Sequence, residues 1–113
     1  MQKLVDVSIV IPLLNEEESL LILNDWIFKV LNNQSLSFEI IYIDDGSKDN
    51  SWISIVDLSK KYSNIRGIRF AKNFGKSQAL HAGFKSTNGN YVITLDADLQ
   101  DSPEEIPRLI RNL

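Results

Sequence analysis

Short apolar runs alternate along this chain with stretches whose apolar residues recur at helical spacing. The runs Val5–Ile11, Phe38–Ile43 and Tyr91–Leu95 are rich in β-branched or aromatic residues, which is typical of strands covered on both faces. Ile65–Phe70 is a weaker run of the same kind. The pattern therefore predicts four strands.

A helical pattern follows each predicted strand. The first helix carries apolar residues at helical spacing, namely Leu20, Leu23, Ile27, Val30 and Leu31. Ser51–Tyr62 and Lys76–Ser86 are predicted as the second and third helices. The last helix is predicted to open at Ser102 and to run over Glu104–Leu113.

Two of these helices begin with residues typical of a capping box. Asn15 with Glu18 predicts a cap for the first helix, which would stabilise it by about 1 kcal/mol. Ser102 with Glu105 predicts a second cap, and Pro103 suits the first helical position.

Strictly alternating strands and helices indicate an α/β fold, with a Rossmann-like, mostly parallel sheet and helices on both faces. Ligands of such open sheets bind outside the carboxyl ends of the strands. A polar cluster follows each predicted strand: Asn15-Glu16, Asp44-Asp45, Ala71-Lys72-Asn73 and Asp96-Ala97-Asp98. The sequence thus places four polar clusters on one edge of the sheet.

Asp96 and Asp98 are two positions apart at the end of a predicted strand, so their carboxylates can point toward the same side. Carboxylate oxygens suit hard cations such as Mg²⁺ or Mn²⁺. Because these ions usually keep positions for water and substrate phosphates, the pair predicts a metal–diphosphate complex and a nucleotide ligand.

Composition narrows the function classes further. The chain has 113 residues, 43% of them hydrophobic and 24% charged, which fits one folded domain. No cysteine is present, which excludes thiolate catalysis, and no segment of the sequence resembles a signal peptide or a membrane span.

The net charge of −3 and the scattered basic residues argue against a nucleic-acid partner. A diphosphate would need a cation between itself and the acidic clusters.

Four motifs, in this order, resemble those of a known family. They are Val7-Ser8-Ile9-Val10-Ile11-Pro12 with Asn15-Glu16, Asp44-Asp45-Gly46-Ser47 with Asp49, Asn73-Phe74-Gly75-Lys76, and Asp96-Ala97-Asp98-Leu99-Gln100-Asp101 with Pro103-Glu104. In order and spacing they resemble the nucleotide-sugar half of inverting family-2 glycosyltransferases. Within that family they are similar to polyprenyl-phosphate sugar transferases such as dolichol-phosphate mannose synthase and bactoprenol glucosyltransferase.

The resemblance implies the nucleotide-binding half of a GT-A fold and a divalent metal, Mg²⁺ or Mn²⁺. Asp98 matches the main metal ligand of the Asp-x-Asp motif, with Asp96 and Gln100 sharing the ion or its waters. Asp45 matches the residue that binds the nucleobase, and Lys76 matches a basic residue near the nucleotide. The full set of implied nucleotide-sugar-binding residues is Pro12, Asn15, Glu16, Asp44, Asp45, Lys76 and Asp96.

The resemblance also implies that residues 1–113 are the donor-binding part of a longer enzyme, ending before the acceptor-binding part. No residue of the chain matches the catalytic base, which is expected beyond Leu113. The implied activity is inverting transfer from a UDP- or GDP-sugar to an acceptor, a polyprenyl phosphate or a glycan. Such enzymes act in the cytoplasm or on the cytoplasmic face of a membrane. Apolar surface normally covered by the remainder is expected to make the isolated part self-associate.

Three other functions fit parts of the pattern. A phosphoacceptor receiver domain has a similar size and a metal-binding acidic pocket, but it has an acidic pair after its first strand and a lysine after a fifth. A nucleotide-binding module without catalysis would use the same edge of the sheet. A nucleotidyl transferase would need a glycine-rich phosphate loop near the first strand, which this chain lacks.

Overall fold

The structure, a computed structural model, describes residues 5–111. Four strands form one sheet, and each is followed by helical structure. The strands are β1 Val5–Leu13, β2 Phe38–Asp44, β3 Ile65–Arg69 and β4 Gly89–Thr94. The helices are α1 Glu17–Asn32, α2 Ser51–Lys61, α3 Lys76–Lys85 and α4 Ile106–Arg111, the last preceded by a 3₁₀ turn, Pro103–Glu105.

The sheet has the order β3-β2-β1-β4, and every neighbouring pair is parallel. Leu13 of β1 lies opposite Asp44 of β2, which in turn lies opposite Arg69 of β3. Three strands therefore end in register, so the loops that follow them meet at one edge. The predicted α/β class with a parallel sheet is confirmed.

Helices cover both faces of the sheet, as predicted. One face packs against α1 and α2 through fully buried aliphatic side chains such as Ile9, Leu23 and Ile55, each of which contributes about 1.5–3 kcal/mol. The other face packs against α3, which approaches closely at Gly83. A Cβ there would lie 2.5 Å from Cγ1 of Val10, so the Val10 side chain of the sheet packs directly against the backbone of this helix.

The structure corrects the prediction that the Tyr91–Leu95 run is a strand covered on both faces. β4 lies at the edge of the sheet, and Tyr91 and Val92 are 39% and 43% exposed. Side chains on a strand are buried only where other elements pack on the faces of the sheet, so an apolar sequence alone does not bury this strand.

The predicted capping box at the start of α1 is wrong. Glu16 occupies the N-cap position and makes no side-chain cap, while Asn15 has a left-handed backbone with φ of 55°. The Asn15 Oδ1 instead accepts hydrogen bonds from the Lys48 and Asp49 N–H groups in the loop after β2. The first N–H of α1, that of Glu17, donates to the Asp49 carboxylate instead of to a local cap.

The predicted start at Ser102 is confirmed, since its Oγ accepts a hydrogen bond from the Glu104 N–H. The chain first forms a 3₁₀ turn and becomes α-helical only at Ile106. The Glu105 carboxylate pairs with Arg108 instead of completing a capping box. The predicted continuation to Leu113 lies outside the described residues.

Candidate active site

A cavity of about 410 Å³ opens at the carboxyl edge of the sheet, among the loops that follow β1, β2, β3 and β4. Six of the residues predicted from the sequence line it: Pro12, Glu16, Asp45, Lys76, Asp96 and Asp98. Carboxylates and an ammonium group thus share one open cavity of a size suited to a small ligand.

Asp45 has a structural role that the sequence did not indicate. Its Oδ1 accepts a hydrogen bond of 2.8 Å from the Phe74 N–H, and its Oδ2 accepts one of 3.0 Å from the Gly75 N–H. The carboxylate therefore holds the loop between β3 and α3 against the end of β2. Each carboxylate oxygen has a second lone pair, so a ligand N–H can still be accepted on the cavity side.

Gly46 lets the same two loops approach each other. Its φ is +84°, and a Cβ would lie 2.5 Å from both the Asn73 nitrogen and the Lys72 carbonyl carbon. Only glycine tolerates this combination of backbone angle and contact. The turn after β2 and the loop after β3 are thereby fixed as one wall of the cavity.

Asp44 and Asn15 do not line the cavity, although both were predicted to bind the nucleotide sugar. Asp44 is fully buried, and its Oδ1 accepts a hydrogen bond from the Ser47 N–H. The Asn15 Oδ1 accepts one of 2.8 Å from the Lys48 N–H. In this structure both side chains shape the turn after β2, which places Asp45.

Asp49 joins the beginnings of two helices. Its Oδ1 accepts from the Ser51 N–H of α2, and its Oδ2 accepts from the Glu17 N–H of α1. Burial by itself would raise the pKa of Asp49, but these hydrogen bonds outweigh it and hold the pKa below its ordinary value. The Ser51 Oγ also accepts from the Glu16 N–H, which orients Glu16 at the cavity.

The loop after β4 presents the two carboxylates of the Asp-Ala-Asp motif. Asp96 pairs with Lys76, whose Nζ lies 2.6 Å from Oδ1, and this hydrogen bond raises the pKa of Lys76. Asp98 accepts a hydrogen bond from the Gln100 N–H within the loop. Gln100 is exposed and does not line the cavity. The other two predicted metal ligands, Asp96 and Asp98, do line it.

The donor set suits a hard cation that arrives with a ligand. Residues 5–111 contain no group of three or more His, Cys, Asp or Glu side chains arranged to hold a metal ion. Asp96 and Asp98 could supply two oxygens, and water or phosphate oxygens would have to supply the remainder. A set of two carboxylates suits a cation that arrives with further oxygen ligands better than a permanent structural ion.

Ser19 is a site residue that sequence reasoning missed. It lies in the first turn of α1, and its Oγ is 2.6 Å from the carbonyl oxygen of Ala97, between the two carboxylates of the motif. Because the two residues are 78 positions apart, no local sequence signal could have indicated the contact.

None of the helices within residues 5–111 has the length and hydropathy needed to cross a membrane.

Sequence relatives match nearly the whole chain. The chain is 43% identical over 106 residues to the undecaprenyl-phosphate 4-deoxy-4-formamido-L-arabinose transferase of Photorhabdus laumondii, covering 93% of this chain and 33% of that protein. It is 46% identical over 105 residues to the transferase of the same name from Aeromonas hydrophila, covering 92% and 32%. The chain thus spans about a third of the length of these relatives.

Solved structures share the fold. A mannosyltransferase from Pyrobaculum calidifontis in complex with GDP-Man and Mn²⁺ superposes with a TM-score of 0.79 at 18% identity, covering 95% of this chain and 32% of that one. Glucosyl-3-phosphoglycerate synthase from Mycobacterium tuberculosis, in complex with Mn²⁺, UDP and phosphoglyceric acid, superposes with a TM-score of 0.72 at 27% identity, covering 95% and 38%.

The match to a family covers nearly the whole chain. Residues 8–113 match the family described as Glycosyl transferase family 2, and this range includes every residue of the cavity lining and all four motifs except Val7 at the start of the first. The chain has the Rossmann-like sheet of GT-A glycosyltransferases, and it belongs to glycosyltransferase family 2.

Proposed function

We propose that this chain is the donor-binding part of a metal-dependent enzyme that transfers a sugar, with inversion, from a nucleoside diphosphate sugar to a polyprenyl phosphate. The observation that carries the proposal is a single cavity whose lining brings Asp45 together with Lys76, Asp96 and Asp98. The names of the sequence relatives support the polyprenyl acceptor.

The nucleoside would lie near the ends of β1 and β2. Pro12 and Glu16 line the cavity there, and Asp45 has lone pairs free for a base N–H. The M. tuberculosis synthase, 27% identical, was solved with UDP, which favours uridine over guanosine as the base.

The diphosphate would lie between α3 and the loop after β4. Lys76 would donate to a phosphate oxygen, since an ammonium group complements that charge. Asp96 and Asp98 would hold Mg²⁺ or Mn²⁺, a cation that stabilises the charge of the departing diphosphate. Gln100 would contact the ion or its waters after a movement of its exposed side chain. Mn²⁺ in the same synthase complex supports this cofactor.

In the proposed reaction, an acceptor oxygen bonds to the anomeric carbon as the bond from that carbon to the diphosphate breaks. We assign no residue of the described part as the base that takes the acceptor proton. The chain spans about a third of the length of its relatives, so we place the acceptor site in the remainder of such an enzyme. We further propose a cytoplasmic site of action, at the membrane that holds the lipid acceptor.

Calorimetric titration tests the donor site. UDP and then GDP are titrated into the 113-residue chain with and without Mn²⁺, and the titrations are repeated on Asp98→Asn and on a control, Asp57→Asn. Asp57 is exposed on α2, outside the cavity lining. We expect Mn²⁺-dependent binding of UDP that Asp98→Asn abolishes and Asp57→Asn preserves. Equal binding by wild type and Asp98→Asn would refute the metal role.

A further inference from the structure

We infer that Ser19 is a positioning residue for the Asp96 and Asp98 carboxylates, acting through the carbonyl oxygen of Ala97. The inference rests on the proposed function, because it concerns the same metal–diphosphate site. Nothing in the family match or in the names of relatives points to this serine.

The contact is short and lies at the centre of the motif. The Ser19 Oγ is 2.6 Å from the Ala97 oxygen, and the peptide that carries this oxygen separates the two carboxylates. Ala97 is only 4% exposed and belongs to the hydrophobic core, so packing holds the residue as well as the hydrogen bond to its carbonyl oxygen. Leu99 follows with φ of 68°, which turns the chain sharply just after Asp98.

One other hydrogen bond in the described part of this loop ties its start to the sheet, since the Leu95 N–H donates to the Val10 carbonyl oxygen of β1. The hydrogen bonds further along give the loop an internal shape. The Asp96 N–H donates to Asp101, and the Gln100 N–H donates to Asp98. Lys76 also reaches Asp96, but its ammonium would leave to meet a phosphate in the proposed complex. Ser19 would then remain to fix the loop relative to α1.

Ser19 also links this loop to the other wall of the cavity. Its Oγ lies 2.9 Å from Oε2 of Glu16, and a hydroxyl group has a single proton to donate. The Glu16 carboxylate and the Ala97 carbonyl therefore compete for that proton. A ligand hydroxyl that donates to Glu16 would release the Ser19 proton to Ala97 and strengthen the hold on the metal loop.

Substitutions of Ser19 distinguish a role in positioning the Asp96 and Asp98 carboxylates from a role in the stability of the fold. Ser19→Ala removes the hydroxyl at a helical site where alanine is well tolerated, and Ser19→Thr keeps it. Ser59→Ala is the matched control, because Ser59 also donates to a backbone carbonyl, that of Val56 at 2.7 Å, within α2 and away from the cavity. UDP affinity is measured for each variant with and without Mn²⁺, alongside the urea midpoint.

We expect Ser19→Ala to lower the UDP affinity in Mn²⁺ by about tenfold, as losses of residues that orient metal ligands do, and to leave the affinity without Mn²⁺ within twofold. Ser19→Thr and Ser59→Ala should bind like wild type. Equal losses with and without Mn²⁺, or no loss in either, would overturn the inference while leaving the donor site intact. Wild-type protein with no Mn²⁺-dependent binding would overturn the proposed function and this inference together.

Discussion

The Nζ of Lys76 lies 2.6 Å from Oδ1 of Asp96, so a residue predicted to face phosphate is paired with one predicted to face the metal. The two side chains are 61% and 43% exposed, and an exposed ion pair of this kind is held weakly. The pair can therefore open when a cation and a diphosphate enter the cavity together.

Lys76→Gln should raise the affinity for Mn²⁺ alone and lower the affinity for UDP in the presence of Mn²⁺. Without the ammonium group, Asp96 loses an internal cation that competes with the metal, so affinity for Mn²⁺ alone should rise roughly two- to fivefold. Affinity for UDP in Mn²⁺ should fall, because a phosphate contact is lost. Both are measured by calorimetry. Lys85→Gln, at the exposed far end of α3, is the control and should change neither value. A weaker affinity for Mn²⁺ alone would contradict the competition.

Asp45→Asn should destabilise the fold as well as weaken ligand binding. The carboxylate accepts two backbone N–H groups, and an amide can offer only one oxygen while turning an N–H₂ toward the other donor. Hydrogen bonds to charged groups are worth about 1.5–3 kcal/mol, so a loss of about 2 kcal/mol in the free energy of unfolding is expected. Urea denaturation measures it, and Asp57→Asn should show no comparable loss. A fully stable Asp45→Asn protein would mean that this carboxylate does not hold the loop.

Much of the fold was predictable because burial leaves its mark on the distribution of apolar residues along the chain. β1 and β2 lie in the middle of the sheet, where almost every side chain is buried, and their sequences are nearly continuous apolar runs. Because the strands were predicted to be parallel, the polar loops after them were expected at one edge of the sheet even though the contacts between these loops could not be predicted. Six of the predicted site residues line one cavity for this reason.

The failures have a common physical cause, which is that partners distant in sequence override local signals. Asn15 has the sequence context of a cap, yet its side chain bonds to the Lys48 and Asp49 N–H groups. Ser19 looks like an ordinary helical serine until the loop after β4 folds over it. Glu39 interrupts the apolar run of β2, and only the fold shows that its buried carboxylate accepts hydrogen bonds from the Ser8 hydroxyl and the Asn88 N–H.

Gly46 and Gly75 should respond differently to alanine, although both have positive φ. A Cβ on Gly46 would meet the backbone of Lys72 and Asn73 at 2.5 Å, whereas a Cβ on Gly75 would have no heavy atom within 4 Å. Gly75→Ala should therefore cost only the backbone strain, about 1–3 kcal/mol. Gly46→Ala adds displacement of a whole loop and should cost clearly more. Denaturation midpoints test the order, and equal midpoints would contradict the close approach of these two loops.

Glu39 should make the stability of the protein depend on pH in the acidic range. Its side chain is 7% exposed, and it accepts hydrogen bonds from the Ser8 hydroxyl, the Asn88 N–H and Arg66, whose guanidinium also bonds to the carbonyl oxygen of Ser86. Burial by itself would raise the pKa of Glu39, but these donors outweigh it and hold the pKa below its ordinary value of 4.5.

Because the folded pKa is the lower one, the unfolded chain takes up this proton first as the pH falls. The stabilisation is complete well above pH 4.5 and is lost as the pH drops through the folded pKa. At pH 7, Glu39→Gln should lower the free energy of unfolding by about 2 kcal/mol, and the difference from wild type should shrink below pH 4.5. Urea denaturation over this pH range measures it. Glu104→Gln, at an exposed position, should follow wild type throughout. A Glu39→Gln deficit that stays constant down to the lowest pH would show that the charge of Glu39 does not carry the network.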